Sequence, residues 1–131
     1  MEMRCYVISG ISRYTIEEVL KGNLRTLELR NVVNISSALN AGIGECVFIT
    51  TAKNVDLSRG VTGIIAEVER KELTTHTMYY SRNDYFEECE MTAVRLKIRP
   101  RGVGRIIQVF RKDILSPVEA EVIQLDHFLA R

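Results

Sequence analysis

The chain has 131 residues, with 18 Lys and Arg against 17 Asp and Glu, for a formal charge of +1. At 46% apolar and 27% charged it has the composition of a soluble globule able to bury a core, and its length fits one domain. The longest apolar runs, such as Cys46-Val47-Phe48-Ile49, fall far short of the ~20 residues that span a bilayer. Membrane and fibrous classes are therefore excluded.

Two further features bear on class. The first residues, Met1-Glu2-Met3-Arg4-Cys5, lead into a short apolar strand and do not resemble a signal peptide. Cys5, Cys46 and Cys89 are an odd number without CxxC spacing. That argues against a disulfide framework and a zinc knuckle, and for reduced thiols in a cytoplasmic protein.

In chain order, Met3 to Ser9 is rich in strand formers and stops at Gly10, which predicts a strand. Thr15-Ile16-Glu17-Glu18 has the form of a capping box, with Thr15 as the cap. Ile16, Val19 and Leu20 share one helical face and Gly22 supplies a left-handed stop, so a two-turn helix follows the first strand. From Arg25 to Val33, Leu27 and Leu29 alternate with Thr26, Glu28 and Arg30, the pattern of a half-buried strand. Ser36 to Asn40 fits a helical turn. Glu45–Thr51 and Val61–Arg70 read as strands joined by a polar turn.

Between Lys71 and Glu90 regularity is lost, and a long loop or irregular helix is expected. Thr92 to Arg99 alternates again, with Val94, Leu96 and Ile98 against Arg95, Lys97 and Arg99. Pro100 to Gly104 reads as a turn and Arg105 to Phe110 as the returning strand, a hairpin with a basic face. Ser116-Pro117-Val118-Glu119 resembles a helix start, and Val118, Val122, Leu125 and Leu129 follow at helical spacing. The β-branched content of residues 117–130 leaves a strand open. Six strands without regular strand–helix alternation predict a mixed α+β, mainly β fold, a small barrel with a short helix after its first strand.

Charge is unevenly placed. Met91 to Lys112 holds seven basic residues and no acidic one, which leaves a balance of −6 for the rest. Such a segment can form a local anion-facing surface that the net charge hides.

The run from Ile16 to Arg30 resembles the signature of ASCH domains, a branch of the PUA-like superfamily, in which a short helix ends in Gly before a strand carrying a basic residue, Glu and Arg. Gly44 to Ile49 and Val61 to Val68 resemble the strands that follow. That family spaces its motif GxKxxExR; here Gly22 lies one residue further back and Arg25 stands for the Lys. The whole chain also resembles an uncharacterised archaeal family of similar length.

The resemblance implies a PUA-like β-barrel of about six strands that binds RNA or a nucleotide. Some ASCH members hydrolyse acylated cytidine with a Lys, a Thr and a Glu, and Thr26 and Glu28 match part of that set. Arg25 cannot serve as the lysine, because a guanidinium stays protonated at neutral pH.

Arg25, Glu28 and Arg30 are thus candidates for a polar cleft, with forked donors for phosphate or a base edge. Arg95, Lys97, Arg99, Arg101 and Arg105 are candidates for phosphate contact, unless the acidic group Glu87, Glu88 and Glu90 folds across them. Tyr79, Tyr80, Tyr85 and Phe86 can stack on bases or anchor their segment. His76 and His127 lack partners at ligand spacing, and the Gly42-x-Gly44 and Gly102-x-Gly104 pairs lack a phosphate-loop context. We expect a module that binds RNA or a nucleotide without catalysis, metal or cofactor. Two alternatives stand beside it: a small amidohydrolase of a modified nucleoside using Thr26 and Glu28, and a protein-interaction domain with an acidic partner.

Overall fold

The structure, a computed structural model, describes residues 2–113 and 115–127. Strand β1 (Glu2–Ile8) leads into helix α1 (Arg13–Leu20), strand β2 (Thr26–Leu29) and helix α2 (Val32–Asn40). Strand β3 (Cys46–Ile49), a short 3-10 turn (Asn54–Asp56) and two long strands follow, β4 (Thr62–Arg82) and β5 (Tyr85–Phe110), before β6 (Glu119–His127). The fold is mixed α+β and mainly β.

The strands form one six-stranded sheet in the order β2-β5-β4-β3-β1-β6, and β6 pairs back onto β5. Five strands thus close into an irregular ring, with β2 attached to the outside of β5. β1 and β3 run parallel; every other pairing is antiparallel.

Burial explains which segments form the ring. In β3, Val47, Phe48 and Ile49 are all fully buried, as are Ile64, Ile65 and Ala66 in β4. Continuous apolar runs of this kind mark strands covered on both faces. Alternate residues go to different clusters. Val47, Ile49, Ile64 and Ala66 pack with Val19 of α1, Ala38 of α2 and Leu27 of β2. Phe48 and Ile65 pack instead with Ile106, Val118 and Val122.

Several segments differ from the sequence expectations, each for a physical reason. The cap of helix α1 lies three residues earlier than Thr15: it is Ser12, whose side chain accepts from the Thr15 amide. β2 ends at Leu29, where Asn31 caps α2 through the amides of Val33 and Asn34. The expected helical turn at Ser36–Asn40 is the end of that longer helix. The carbonyls at its C-terminus accept from Lys71 Nζ of β4, at 2.8 Å from Leu39 and 2.7 Å from Ala41.

The expected turn at Pro100–Gly104 does not exist, and with it the basic hairpin is lost. Its two arms belong to one continuous strand, β5. The glycines serve close approach instead of reversal. A Cβ on Gly102 would collide with the carbonyl of Asp126 in β6, and one on Gly104 with the Ile65 side chain. The segment from Lys71 to Glu90, expected to be irregular, is ladder from end to end. Asn83 and Asp84 form its two-residue turn, and Asn83 takes the left-handed conformation (φ 52°).

Of the two readings open for residues 117–130, the strand forms, as β6, and the helix does not. Val118, Val122 and Ile123 favour a pleated surface, and both edges of β6 are paired, to β1 and to β5. Residues 128–130 of that expectation lie outside the described residues. Finally, Cys5 and Cys46 are not reduced thiols: they form a disulfide between neighbouring parallel strands, with Cα atoms 5.0 Å apart. The β1–β3 register aligns Tyr6 with Val47, which sets the two preceding residues side by side. Their separation of 41 residues gave no hint of this. Cys89 is free.

Candidate functional site

The outer face of the sheet where β2, β5 and β4 run together collects most of the residues singled out from the sequence. The register arranges them in rows. Glu28 lies opposite Arg95, which lies opposite Glu72. In the next row Thr26, Lys97 and Arg70 stand side by side, and in the third Arg99 faces Glu67. Residues paired in an antiparallel ladder share a face and have Cβ atoms ~5 Å apart, so these side chains work as one surface.

The first row is internally neutralised. Glu28 accepts from Arg30 Nη2 at 2.8 Å and from Arg95 Nε at 3.1 Å. The Arg95 hydrogen bond, followed by that of Arg30, holds the Glu28 carboxyl below its usual range. The carboxylate thus stays ionised and fixes two guanidinium groups. Such a group is poorly suited to donate a proton.

The second row differs. Lys97 and Arg70 are like charges directly opposed, a destabilising arrangement unless an anion or carboxylate intervenes. Their nearest offset is Glu69, whose Oε2 lies 3.8 Å from Lys97 Nζ, a long and exposed contact. A cavity of about 220 Å³ opens here, lined by Thr26, Arg70, Glu72, Arg95 and Lys97. A second, of about 240 Å³, shares Thr26 with it, passes Glu28 and reaches Ser12 and Thr15 at the start of α1.

The remaining candidates fall along one line away from this point. Arg101 donates to Glu67 Oε1 at 2.7 Å. Arg105 pairs with Thr62 at the far end of the β4–β5 ladder, well outside the cavity. Arg25, Arg70, Arg99 and Arg105 have no ion pair among the described residues. The acidic group Glu87, Glu88 and Glu90 does not fold across the basic row; it lies on the protruding part of β5, opposite Tyr80, Tyr79 and Thr77. Alternation along Thr92–Arg99 marks Arg95 and Lys97. Arg70 closes an expected strand and Glu72 falls in the segment expected to be irregular, so no sequence pattern marks either.

The model of a family described as protein of unknown function (DUF473) matches residues 3–120. The chain belongs to this family. It is also 26% identical over 106 residues to the uncharacterised protein MJ0105 of Methanocaldococcus jannaschii. That match covers 81% of this chain and 66% of the relative, so the chain spans just under two thirds of the relative's length. No solved structure matches it.

A larger cavity in this DUF473 chain, about 600 Å³, lies at the other end of β5 and was not anticipated. Its cations are mostly engaged. The Arg4 guanidinium lies 4.0 Å over the Phe110 ring and donates to Glu119 at 2.9 Å, while Arg111 donates to the Asn54 carbonyl at 2.9 Å. Burial, then the nearby Glu119 carboxylate, pushes the Tyr6 phenol up. Size favours this cavity, but the β2–β5–β4 face sets two cations, Arg70 and Lys97, directly opposite each other beside a cavity, and that chemistry decides for the face. Among the described residues no group of three or more His, Cys, Asp or Glu is placed to hold a metal ion. His76 is exposed on β4, away from the face. Among the described residues, no helix is long and apolar enough to cross a membrane.

Proposed function

We propose that this protein binds the phosphates of RNA or of a nucleotide on the outer face of β2, β5 and β4, as a PUA-like module of ASCH type without catalysis. The observation that carries the reading is the row Thr26, Lys97 and Arg70, where two opposed cations and a hydroxyl line one cavity. An anion there relieves their repulsion and receives both charge and a hydrogen bond. Arg25 and Arg99, free of internal ion pairs, extend the contact to either side. Binding is favoured over hydrolysis because Glu28 is committed to Arg30 and Arg95. A cytoplasmic location belongs to the same reading.

Anisotropy of a short labelled single-stranded RNA at two salt concentrations tests this. Three to four phosphate contacts predict a log–log slope of about −2 to −3. The double variant R70A/K97A should weaken binding and flatten the slope by about 1.4. No binding in dilute buffer, or a double variant that binds as wild type, would overturn the proposal.

A further inference from the structure

From the pair Thr74 and Ala93 outward to the turn, β4 and β5 pair only with each other. β3 pairs with β4 only as far as Glu67, and β2 with β5 only from Val94 onward. This ribbon therefore has two open edges, each a row of backbone groups without a ladder partner. An open edge is a template for another strand.

The two edges differ in chemistry. That of β5 carries Glu87, Glu88 and Glu90 within a few residues, the kind of charge that blocks edge-to-edge pairing. That of β4, residues 74–81, reads Thr-Thr-His-Thr-Met-Tyr-Tyr-Ser. It holds no Lys, Arg, Asp, Glu, Pro or Gly and consists largely of strand formers. One edge is guarded and the other is not.

We propose that the β4 edge, residues 74–81, pairs antiparallel with the same edge of a second copy of this chain. The two-fold axis stands perpendicular to the ribbon, close to Thr77 and Met78, and the product is a four-stranded sheet ordered β5-β4-β4-β5. An antiparallel match of identical segments is self-complementary and closes as a dimer. Charge selects this arrangement among the alternatives. Joining the β5 edges would set three glutamates against three. Joining the β4 edges puts the two β5 strands three spacings apart, roughly 14 Å, beyond the Debye length of about 8 Å at physiological salt. Those same glutamates then guard the outer edges and stop growth at two copies.

The side chains beside the seam fit a partner. Leu73 and Tyr79 on one face of β4, and Met78 and Tyr80 on the other, are 56%, 65%, 40% and 49% exposed. The four tyrosines of two copies can each bury on the order of 100 Å² of that surface. With the leucines, methionines and paired backbone, the total reaches the order of 1,000 Å² that a specific interface needs. Nothing in this inference depends on the ligand proposed above.

Sedimentation equilibrium of the full chain and of two variants, Thr77→Lys and Thr77→Glu, tests it. Wild type should be dimeric. Each variant alone sets like charges across the axis and should lose dimer affinity about tenfold or more. Far-UV circular dichroism should show both still folded, and an equimolar mixture of the two should restore the dimer. A wild type that stays monomeric across the concentration range overturns the proposal. So does a dimer indifferent to Thr77, which would place the contact elsewhere, and so do assemblies larger than two.

Discussion

β4 and β5 pass through two environments in one chain. At the root they are stitched to β3, β2 and β6, and residues such as Ile64, Ile65 and Ile106 are shut off from solvent. Past Thr74 the same two strands continue as a ribbon whose tyrosines and Phe86 face water. Hydrogen bonding is alike in both regions; only the ring has a core. Ladder pairing alone is marginal in water, so the ring supplies the stability and the ribbon is free to vary for contact. The Tyr79 and Phe86 rings, stacked at 5.9 Å, are the ribbon's own modest packing.

Truncation breaks that comparison most sharply. Phe48→Ala, in the ring, should cost about 3–5 kcal/mol, while Tyr85→Ala, exposed on the β5 side of the ribbon, should stay within about 0.5 kcal/mol. Urea denaturation measures both, and similar losses would mean that the ribbon is part of the cooperative unit. Reduction comes next. The Cys5–Cys46 bridge closes a loop that contains α1, β2 and α2. For a separation of 41 residues, opening it should remove about 3–4 kcal/mol in the chain-entropy picture. Hydrogen exchange with and without reductant would locate the loss in the ring and leave the ribbon amides unchanged.

The smallest effect is one of pH. Glu28 is held below its usual pKa by Arg95 and Arg30, so its pairs stabilise the fold above the ordinary carboxylate range. That contribution is lost as pH falls through the lowered value. Glu28→Gln removes the titration, so the acid limb of its stability profile should be shallower than that of wild type. An unchanged limb would show that these ion pairs at the sheet edge leave the ring's stability untouched.

Legibility followed the same divide. Where a core lies beneath, alternation announced strands and their outward charges, in Thr92–Arg99 and in the first part of Arg25–Val33, which becomes helix from Val32. In the ribbon both faces meet solvent, so nothing enforces alternation, and Lys71 to Glu90 reads as irregular although its threonines and tyrosines suit a strand. Pro100 to Gly104 misled for a different reason. Gly102 and Gly104 are required by the close passage of β6 and of Ile65, a contact distant in sequence. Arg70 escaped notice because a register shift between Val68 and Arg70 breaks the local pattern just where the candidate site needs it.

Lys71 sits at the boundary between the two regions. Its ammonium is shared among the terminal carbonyls of α2, so a helix of the body and the root of the protrusion are moored at a single post. Acylating that amine would erase its charge and with it the strongest of these hydrogen bonds, leaving the last carbonyls of α2 to water.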